Sequence, residues 1–390
     1  MLAMGLMSGT SLDGVDTALC EITGFGEETK ITLIDFETYD FPEHLKNKVK
    51  RILRNDEPLL PELTSLNFEL GMLFSDAVGK MLEKNKMTGK DLAFVASHGQ
   101  TIYHQPRDIG SLMSSTLQLG EPAVIAYNHH VDVYANFRVM DMAAGGEGAP
   151  LVPYSEEILY REDQRSVALQ NIGGIGNVTV LPSRTSGRQV YAFDTGPGNM
   201  VIDEAMKILY NQSYDEGGKT ALSGHVSQGM LAHLLEHPYL KMSYPKTTGR
   251  EDFGESYTNS VLQRFSSLQR EDLIATLTYF TAKTIAMSYE DFIFPKMRLD
   301  KVIIGGGGAH NKALLSYLRE LLNGVEVLTQ EDLGYSSDAK EAMAFVILGN
   351  ETYHRRPSNV IGATGAKTPV ILGNLTKNPH AHAELKRGRE

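Results

Sequence analysis

Two segments of this sequence share one plan, in which a strand is followed by a glycine-containing turn and a second strand. Near the start, apolar residues 2–7 lead into a turn at 8–14, and a second apolar run follows at 15–22. Residues 167–172 lead in the same way through a turn at 173–177 to residues 178–181, about 160 positions later. This repetition is typical of a protein with two similar halves. At 390 residues the chain is long enough for two domains.

Strand-like and helix-like patterns alternate along the rest of the chain, which indicates an α/β protein. Strands are predicted at 31–36, 93–96, 167–172, 190–193 and 302–304. A helix is predicted from Asp272 to about Asp291, because Leu273, Leu277, Phe280 and Thr284 recur at three- and four-residue spacing and give one largely apolar face. A second helix is predicted from Ser337 to about Leu348, with Ala342, Phe345 and Val346 on its inner face.

Composition excludes several classes of protein. The net charge of −11 argues against a nucleic-acid or anionic-membrane partner, since such proteins present basic patches. No run of about eighteen apolar residues predicts a transmembrane helix. The first residues lack the features of a signal peptide, so we expect a cytoplasmic protein. With one cysteine, Cys20, the chain can form neither an internal disulfide nor a thiolate metal site.

The first turn carries residues suited to phosphate binding. Backbone N–H groups at small residues such as Gly9 and Gly14 form a concave site for anionic oxygens, and the hydroxyls of Thr10 and Ser11 add donors. Asp13 makes chemical sense beside phosphates if a cation bridges it, which suggests Mg²⁺, directly or through water. The alternative is an ordinary hairpin turn with Asp-Gly at its tip.

Other nucleotide-binding motifs do not explain the sequence. A P-loop requires Gly-x4-Gly-Lys-Ser/Thr before a helix, and the first turn contains no lysine. The nearest match elsewhere, at 218–220, has Ser213 where the first glycine should be. The turn at 173–177 does not satisfy the G-x-G-x-x-G pattern of dinucleotide-binding folds.

Two later motifs add a carboxylate and a flat glycine surface. A predicted strand delivers Asp194 to a glycine-rich turn with Gly196 and Gly198, where one carboxylate can orient or deprotonate water or a hydroxyl. The alternative for Asp194 is a carboxylate that only caps backbone amides. Another strand is followed by four glycines, which allow an adenine or ribose to lie against the backbone: Gly305, Gly306, Gly307 and Gly308.

The order of these three motifs resembles that of the actin/hexokinase/sugar-kinase superfamily. The resemblance implies a two-lobed α/β fold of RNase H-like domains with an interdomain cleft for ATP and substrate. It implies lobes at 1–135, completed by 364–390, and at 136–363. The phosphate and ATP contacts that it implies are Gly9, Thr10, Ser11, Leu12, Asp13, Gly14, Val15, Asp16, Gly196, Gly198, Gly305, Gly306, Gly307 and Asn311.

Longer stretches resemble one family in this superfamily, anhydro-N-acetylmuramic acid kinase. They are residues 7–16, 97–104, 118–122, 136–138, 143–153, 171–177, 245–251 and 340–345. The family often has Asp at the position of Asn136 and Ser at that of Thr247. The resemblance implies an ATP-dependent kinase that hydrolytically opens 1,6-anhydro-N-acetylmuramic acid and phosphorylates O6 during peptidoglycan recycling. It also implies a magnesium-dependent cytoplasmic homodimer.

The family resemblance also assigns roles to individual residues. Asp194 matches the catalytic aspartate, and His98, Arg138 and Glu341 are the expected sugar contacts. Arg138 suits a lactyl carboxylate or a ring hydroxyl because guanidinium offers forked donors, and its alternative is a surface ion pair. His98, His104, His129 and His130 lack the further ligands that zinc needs.

Two other functions remain open at this point. One is a kinase for a different sugar or carboxylate on the same fold, which only substrate tests would separate. The other is an actin- or chaperone-like ATPase, which would hydrolyse ATP without stimulation by sugar. The sequence contains no separate peptide-binding module after the nucleotide core, which argues against the chaperone.

Overall fold

The computed structural model describes residues 1–9, 12, 14–53, 60–243, 246, 248–333 and 338–380. The strands are β1 (Leu2–Ser8), β2 (Gly14–Thr23), β3 (Lys30–Asp40), β4 (Leu92–Gln105), β5 (Ser115–Leu119), β6 (Val133–Ala135), β7 (Val167–Ile172), β8 (Ile175–Leu181), β9 (Tyr191–Pro197), β10 (Lys301–Gly305), β11 (Glu326–Thr329) and β12 (Asn374–Thr376). The helices are α1 (Glu43–Leu53), α2 (Leu60–Lys84), α3 (Pro122–His129), α4 (Val139–Ala143), α5 (Val152–Tyr160), α6 (Met200–Tyr210), α7 (Lys219–Ser223), α8 (Gln228–Leu234), α9 (Arg250–Phe253), α10 (Glu255–Arg264), α11 (Arg270–Phe292), α12 (Lys312–Leu321), α13 (Lys340–Tyr353) and α14 (Ile361–Thr364).

The chain forms two compact units. The first contains Met1–Leu159 and Asp338–Glu390, and the second contains Tyr160–Ser337. Residues 136–159 and 338–363, which the sequence assigned to the second lobe, therefore belong to the first unit. The physical reason is one apolar cluster on the first sheet, which holds Phe137 and Leu151 from the earlier segment and the apolar residues of α13 from the later one.

The first unit is built on a mixed sheet. Within the described residues its strand order is β12-β6-β4-β1-β2-β3, with β5 beside β4. Strands β1, β2 and β3 are antiparallel neighbours, whereas β1 runs parallel to β4 and β4 runs parallel to β6. One apolar cluster between β1, β2 and helices α1 and α2 includes Met4, Val15, Leu70 and Phe74.

The second unit repeats this arrangement. The order of its described strands is β11-β10-β7-β8-β9, with β7, β8 and β9 antiparallel and β7, β10 and β11 parallel. The order β3-β2-β1-β4 in the first sheet corresponds to β9-β8-β7-β10 in the second, with the same strand directions. The repeated strand–turn–strand plan and the α/β fold class are confirmed.

Most of the predicted strands lie inside longer ones. The strand predicted at 167–172 has those bounds, and the one at 31–36 falls within β3. The predicted strands at 93–96 and 302–304 fall within β4 and β10. The strand predicted at 190–193 begins one residue before β9 and ends inside it, since β9 continues to Pro197. Backbone pairing extends strands past the apolar residues that signal them, which explains the shorter predictions.

Helix α11 is the central helix of the second unit. The four predicted residues Leu273, Leu277, Phe280 and Thr284 are buried. Residues on the other faces, such as Ile274 and Ile285, are buried too, as expected for a helix enclosed by its unit. No helix in the described ranges is both long and apolar enough to cross a membrane.

Helix α13 covers one face of the first sheet at very short range. The predicted inner residues Ala342, Phe345 and Val346 are buried. A Cβ added at Gly5 in β1 would lie 1.9 Å from the carbonyl oxygen of Ala342 and 2.9 Å from Cγ2 of Val346. Only glycine at this position allows α13 to lie where it does.

We therefore expect Gly5→Ala to destabilise the protein by about 1–3 kcal/mol, because the helix must move away from the strand. Gly229→Ala in α8 is the matched control, since no atom lies within 4 Å of the added Cβ. Urea unfolding followed by circular dichroism measures both variants. Equal midpoints for Gly5→Ala and the wild type would show that the close contact does not constrain α13.

Candidate active site

The first turn is anchored from strand β4. The Ser8 hydroxyl donates to Oε1 of Gln100 at 2.6 Å, and Nε2 of Gln100 donates to the carbonyl of Gly9 at 3.3 Å. The N–H of Leu12 also donates to that carbonyl, and Leu12 has a left-handed φ of 59°. Three of the predicted phosphate contacts lie outside the described residues: Thr10, Ser11 and Asp13.

Three other predicted contacts of this motif lie in strand β2. Gly14 begins the strand, and a Cβ there would lie 2.4 Å from Cγ2 of Thr38. Val15 is fully buried in the core, so only its backbone could face a ligand. Asp16 accepts a hydrogen bond from the Thr38 hydroxyl at 2.6 Å. These positions hold the turn in place by their strand pairing.

His98 and Arg138, two predicted sugar contacts, meet in the first unit. Arg138 donates through one Nη to Nε2 of His98 at 2.9 Å and through the other to the carbonyl of Gly148 at 2.8 Å. Burial lowers the pKa of His98 to about 3, and the Arg138 cation adds to this effect. The imidazole is therefore neutral and accepts the hydrogen bond at Nε2.

His98 also lines a pocket of about 460 Å³ within the first unit. Gly99, Gly120 and Asn136 contribute to its wall. Asn136 has a left-handed φ of 58°, a conformation in which Asn and Asp are both enriched. This explains why Asn can stand where the family often has Asp.

Glu341, the third predicted sugar contact, lies in the first turn of α13 in the same unit. The surrounding protein raises its pKa, chiefly by desolvation, and the Asp16 carboxylate raises it further. The cations of Lys340 and Arg138 act in the opposite direction. Lys340 is itself in an ion pair with Glu156. Glu341, Arg138 and His98 thus belong to one polar region of the first unit.

Asp194 lies in β9 and is held by the segment that follows α8. Its carboxylate accepts a hydrogen bond from the N–H of Thr248 at 3.0 Å. Its own N–H donates to the carbonyl of Lys246 at 3.2 Å, and the Tyr239 hydroxyl donates to its carbonyl at 2.7 Å. One backbone N–H thus holds the carboxylate, and the other two bonds hold the Asp194 backbone.

The surroundings of Asp194 tune its acidity. Burial raises the pKa of Asp194 to about 6, and the Glu251 carboxylate adds to this, whereas the Thr248 N–H and the Lys246 cation lower it. Lys246 is only 4% exposed, and its Nζ lies 4.6 Å from the centre of the Tyr239 ring. A carboxylate with a pKa near 6 is ionised at neutral pH and is a stronger base than an exposed aspartate.

The turn after β9 is tied to the turn between β7 and β8. The N–H groups of Gly198 and Met200 donate to the carbonyl of Gly174 at 2.9 and 3.1 Å, and that of Asn199 donates to the carbonyl of Gly173 at 2.7 Å. A Cβ at Gly198 would lie 2.2 Å from the Gly173 carbonyl oxygen. The amide of Gly198, a predicted phosphate contact, is therefore already used within the protein.

The predicted adenosine glycines lie beside these turns. Gly305 ends β10, which runs parallel to β7. Gly306 has a φ of 79°, and a Cβ there would lie 2.6 Å from Oδ1 of Asn171. A Cβ at Gly307 would lie 3.4 Å from Nδ2 of Asn199. The ends of β7, β9 and β10 thus bring the second and third motifs together in the second unit.

Two further predicted ATP contacts also have structural roles. Gly196 has a φ of 129°, and a Cβ there would lie 3.2 Å from the Thr284 hydroxyl. The side chain of Asn311 caps α12 by accepting the N–H of Leu314 at 3.1 Å. A direct contact with ATP remains a prediction for both residues.

Comparison with known proteins identifies the family. The family model described as anhydro-N-acetylmuramic acid kinase matches residues 1–378. A protein of that name from Clostridioides difficile (strain 630) is 53% identical over 379 residues, covering 97% of this chain and 99% of the relative. Another from Bacillus cereus (strain G9842) is 52% identical, covering 97% of this chain and 100% of the relative.

The chain belongs to the anhydro-N-acetylmuramic acid kinase family.

Membership in the anhydro-N-acetylmuramic acid kinase family confirms the predicted enzyme class. The protein is a kinase that uses ATP and acts on an amino sugar in peptidoglycan recycling. The predicted family itself is likewise confirmed.

Solved structures show weaker likeness to this kinase. An activator of 2-hydroxyisocaproyl-CoA dehydratase from Clostridium difficile, with bound ADPNP, has a TM-score of 0.44 and 13% identity, covering 91% of this chain and 98% of its own. A ROK family protein from Streptococcus pneumoniae TIGR4, in complex with sucrose, has a TM-score of 0.36 and 12% identity. The match covers 90% of this chain and 100% of that protein.

Several residues near the predicted site received no role from the sequence. They are Gln100, Gly173, Gly174, Lys246 and Thr248. All five lie in stretches that resemble the kinase family, at 97–104, 171–177 and 245–251. That resemblance was the one available signal, because their contacts join distant parts of the chain.

The kinase should lose activity in acid as Asp194 is protonated. If Asp194 is the base, kcat/KM falls below pH 6, since only the carboxylate accepts a proton. Glu251→Gln removes a negative charge that raises the Asp194 pKa, so the acidic limb should move to lower pH.

Two carboxyl variants serve as controls in the same pH series of initial rates. Glu255→Gln removes a carboxylate four residues further on. Asp203→Asn removes another carboxyl group whose pKa burial raises to about 6. Both should leave the limb in place. A limb that moves with Asp203→Asn, or stays in Glu251→Gln, would assign it to another group.

Proposed function

We propose that this enzyme opens the 1,6-anhydro bond of its sugar by hydrolysis and phosphorylates the released oxygen in one reaction. Water adds to C1, the C1–O6 bond breaks, O6 bonds to the γ-phosphorus of ATP, and ADP leaves. The product is N-acetylmuramic acid 6-phosphate. Two observations support this proposal: membership in the family, and the carboxyl group of Asp194, which has a raised pKa and is held by the N–H of Thr248.

Asp194 is the proposed base. Glycoside hydrolysis normally uses two carboxyl groups, one to activate water and one to protonate the leaving oxygen. Here the phosphoryl group captures the leaving oxygen, so no separate acid is required. Asp194 accepts the proton from water and later releases it to solvent. The N–H of Thr248 holds one carboxylate oxygen, which leaves the other for water.

Two turns are the proposed phosphate sites. The turn at Gly9 and Leu12 follows the first strand of one sheet, and the turn at Gly173 and Gly174 follows the first strand of the other. Since the Gly198 amide donates to Gly174, we assign Gly198 to supporting the second turn. Close packing at this position then requires glycine, as the 2.2 Å approach indicates.

Adenosine is proposed to lie against Gly305, Gly306 and Gly307. A side chain at Gly305 or Gly306 would collide with Gln330 or Asn171, and the exposed Gly307 offers its backbone to a ligand. The neighbouring Asn199 side-chain amide donates to the carbonyl of Ile172 at 3.1 Å and so joins the turn after β9 to the end of β7.

The sugar contacts are proposed in the first unit. Arg138 offers its remaining N–H donors to a carboxylate or hydroxyl of the sugar. Nε2 of neutral His98 accepts one N–H of the guanidinium without adding charge. The Glu341 carboxylate accepts hydrogen bonds from sugar hydroxyls and helps to orient the attacking water. The pocket beside His98 is large enough for a monosaccharide.

Magnesium is proposed to accompany ATP and to neutralise phosphate charge. Among the described residues, no group of three or more His, Cys, Asp or Glu could hold a metal. A protein-built metal cage therefore does not fit this part of the chain. Asp13, the predicted metal contact, lies outside the described residues, and phosphate oxygens and water would supply most of the magnesium ligands.

The coupled reaction can be tested in ¹⁸O-water with ATP, Mg²⁺ and 1,6-anhydro-N-acetylmuramic acid. Mass spectrometry should find a sugar phosphate with one ¹⁸O at C1, corrected by unlabelled product kept in the same water. Asp194→Asn should lower kcat about 10²–10⁴-fold and leave ATP binding largely intact. ATP hydrolysis without sugar phosphate would contradict the proposed function. Near-normal turnover in Asp194→Asn would remove Asp194 from it.

The enzyme is also proposed to act in the cytoplasm, where ATP is available, and as a homodimer. The connection between β4 and β5 exposes Ile109, Leu112 and Met113 by 64%, 59% and 78%. Such an apolar patch is typical of an association surface, and we propose that a second copy covers it.

Light scattering after gel filtration should therefore give twice the chain mass for the wild type. The double variant Leu112→Glu, Met113→Glu should be a monomer, because its new charges would be buried in the interface. Leu222→Glu, at a 57% exposed residue of the second unit, is the control and should remain dimeric. A monomeric wild type would contradict the proposed dimer. Activity in the membrane fraction of disrupted cells would contradict the cytoplasmic assignment.

A further inference from the structure

A buried carboxylate lies three residues after Arg138. Asp141, in α4, has no solvent exposure. Its Oδ2 accepts the N–H of Gly148 at 2.8 Å, and its Oδ1 accepts the Thr364 hydroxyl and Nδ2 of Asn359, each at 2.8 Å. Three neutral donors thus compensate for the loss of water around this charge.

The Gly148 contact connects Asp141 to Arg138. The N–H of Gly148 donates to Asp141, and the carbonyl of the same residue accepts from Nη1 of Arg138 at 2.8 Å. A Cβ at Gly146 would lie 2.2 Å from Oδ2 of Asp141. Glycine at 146 therefore lets the chain close around the carboxylate and places Gly148 against the guanidinium.

The second carboxylate oxygen contacts a different part of the chain. Besides Asn359 and Thr364 at Oδ1, two backbone bonds join the same regions. The N–H of Glu147 donates to the carbonyl of Thr364 at 2.8 Å, and that of Lys367 donates to the carbonyl of Ala144 at 3.0 Å. Oδ1 thus attaches the loop to the C-terminal segment, while Oδ2 orders the acceptor of Arg138. The two functions can be separated by mutation.

We propose that Asp141 is a positioning residue for the sugar site. Through Gly148 it fixes the Arg138 guanidinium and so sets affinity for the sugar. This inference rests on the proposed role of Arg138 as a sugar contact.

The physical basis is pre-organisation of the guanidinium. With Gly148 and His98 each taking one N–H, the directions of the remaining donors are fixed before substrate binds. A guanidinium that must first be ordered binds its ligand less tightly, because ordering opposes association.

A double-mutant cycle tests the connection, with steady-state kinetics of sugar phosphorylation. Asp141→Ala should raise the KM for the sugar about tenfold, because the loop no longer holds the Gly148 carbonyl against the guanidinium. The KM for ATP and kcat should change less than about threefold. In an Arg138→Ala background, Asp141→Ala should add less than about twofold, because the two residues act as one unit.

Two further variants separate positioning from a structural role. Thr364→Val removes a donor to Oδ1 but leaves Gly148 bound to Oδ2. It should lower the melting temperature with a near wild-type sugar KM. Asp141→Asn keeps one acceptor oxygen for Gly148 and should restore the sugar KM to within about threefold of wild type. Should Asp141→Ala not fold, the cycle is run with Asp141→Asn, whose smaller increase in KM must likewise vanish in the Arg138→Ala background.

Three outcomes would overturn the inference. One is a normal sugar KM in folded Asp141→Ala. Another is an equal increase in KM from Asp141→Ala with or without Arg138. The third is a sugar KM that Thr364→Val raises as much as Asp141→Ala. These results are distinct from failure of the proposed function itself, in which the wild type forms no sugar phosphate.

Discussion

The close contact between β1 and α13 at Gly5 determines how the first unit is assembled. It lets a helix from the last part of the chain replace solvent over a sheet made from the first part. The same contact brings Glu341, at the start of α13, into the unit that holds Arg138 and His98. It also leads the chain back towards Asp141, where Asn359 and Thr364 bind. The polar region of the first unit thus depends on an apolar contact on its sheet.

Local patterns predicted the elements and the motifs, but not how the motifs are supported. The helix at 270–292, the repeated turns and the strand before Gly305 follow from apolar spacing and glycine clusters within a few residues. The bond from Ser8 to Gln100 joins residues 92 positions apart, and that from Thr364 to Asp141 joins residues 223 apart. No local pattern signals such pairs. The lobe boundaries failed for the same reason, because the position of α13 is decided by packing on a distant strand.

Backbone donors of the turn after β9 are already bound inside the second unit. A glycine-rich motif suggests free amides, yet the amides of Gly198, Asn199 and Met200 are used by the neighbouring turn. Sequence indicates where a backbone can approach a phosphate, whereas structure shows which N–H groups are already bound. Asp194 illustrates the same difference. Its place directly after a short apolar run was visible, but β9 continues past it, and its raised pKa results from burial and from Glu251, which the fold brings close.

The discontinuous first unit has a consequence for synthesis on the ribosome. Strands β1 to β4 are made early, but the helix that covers Ala3, Ala18 and Phe94 belongs to residues 340–353. The ribosome must first translate the whole second unit, residues 160–337, which at about 5–20 residues per second takes on the order of 10–35 seconds. Throughout that interval the nascent chain carries an uncovered apolar sheet face, of the kind that chaperones bind. The second unit, continuous in sequence, can fold as it emerges.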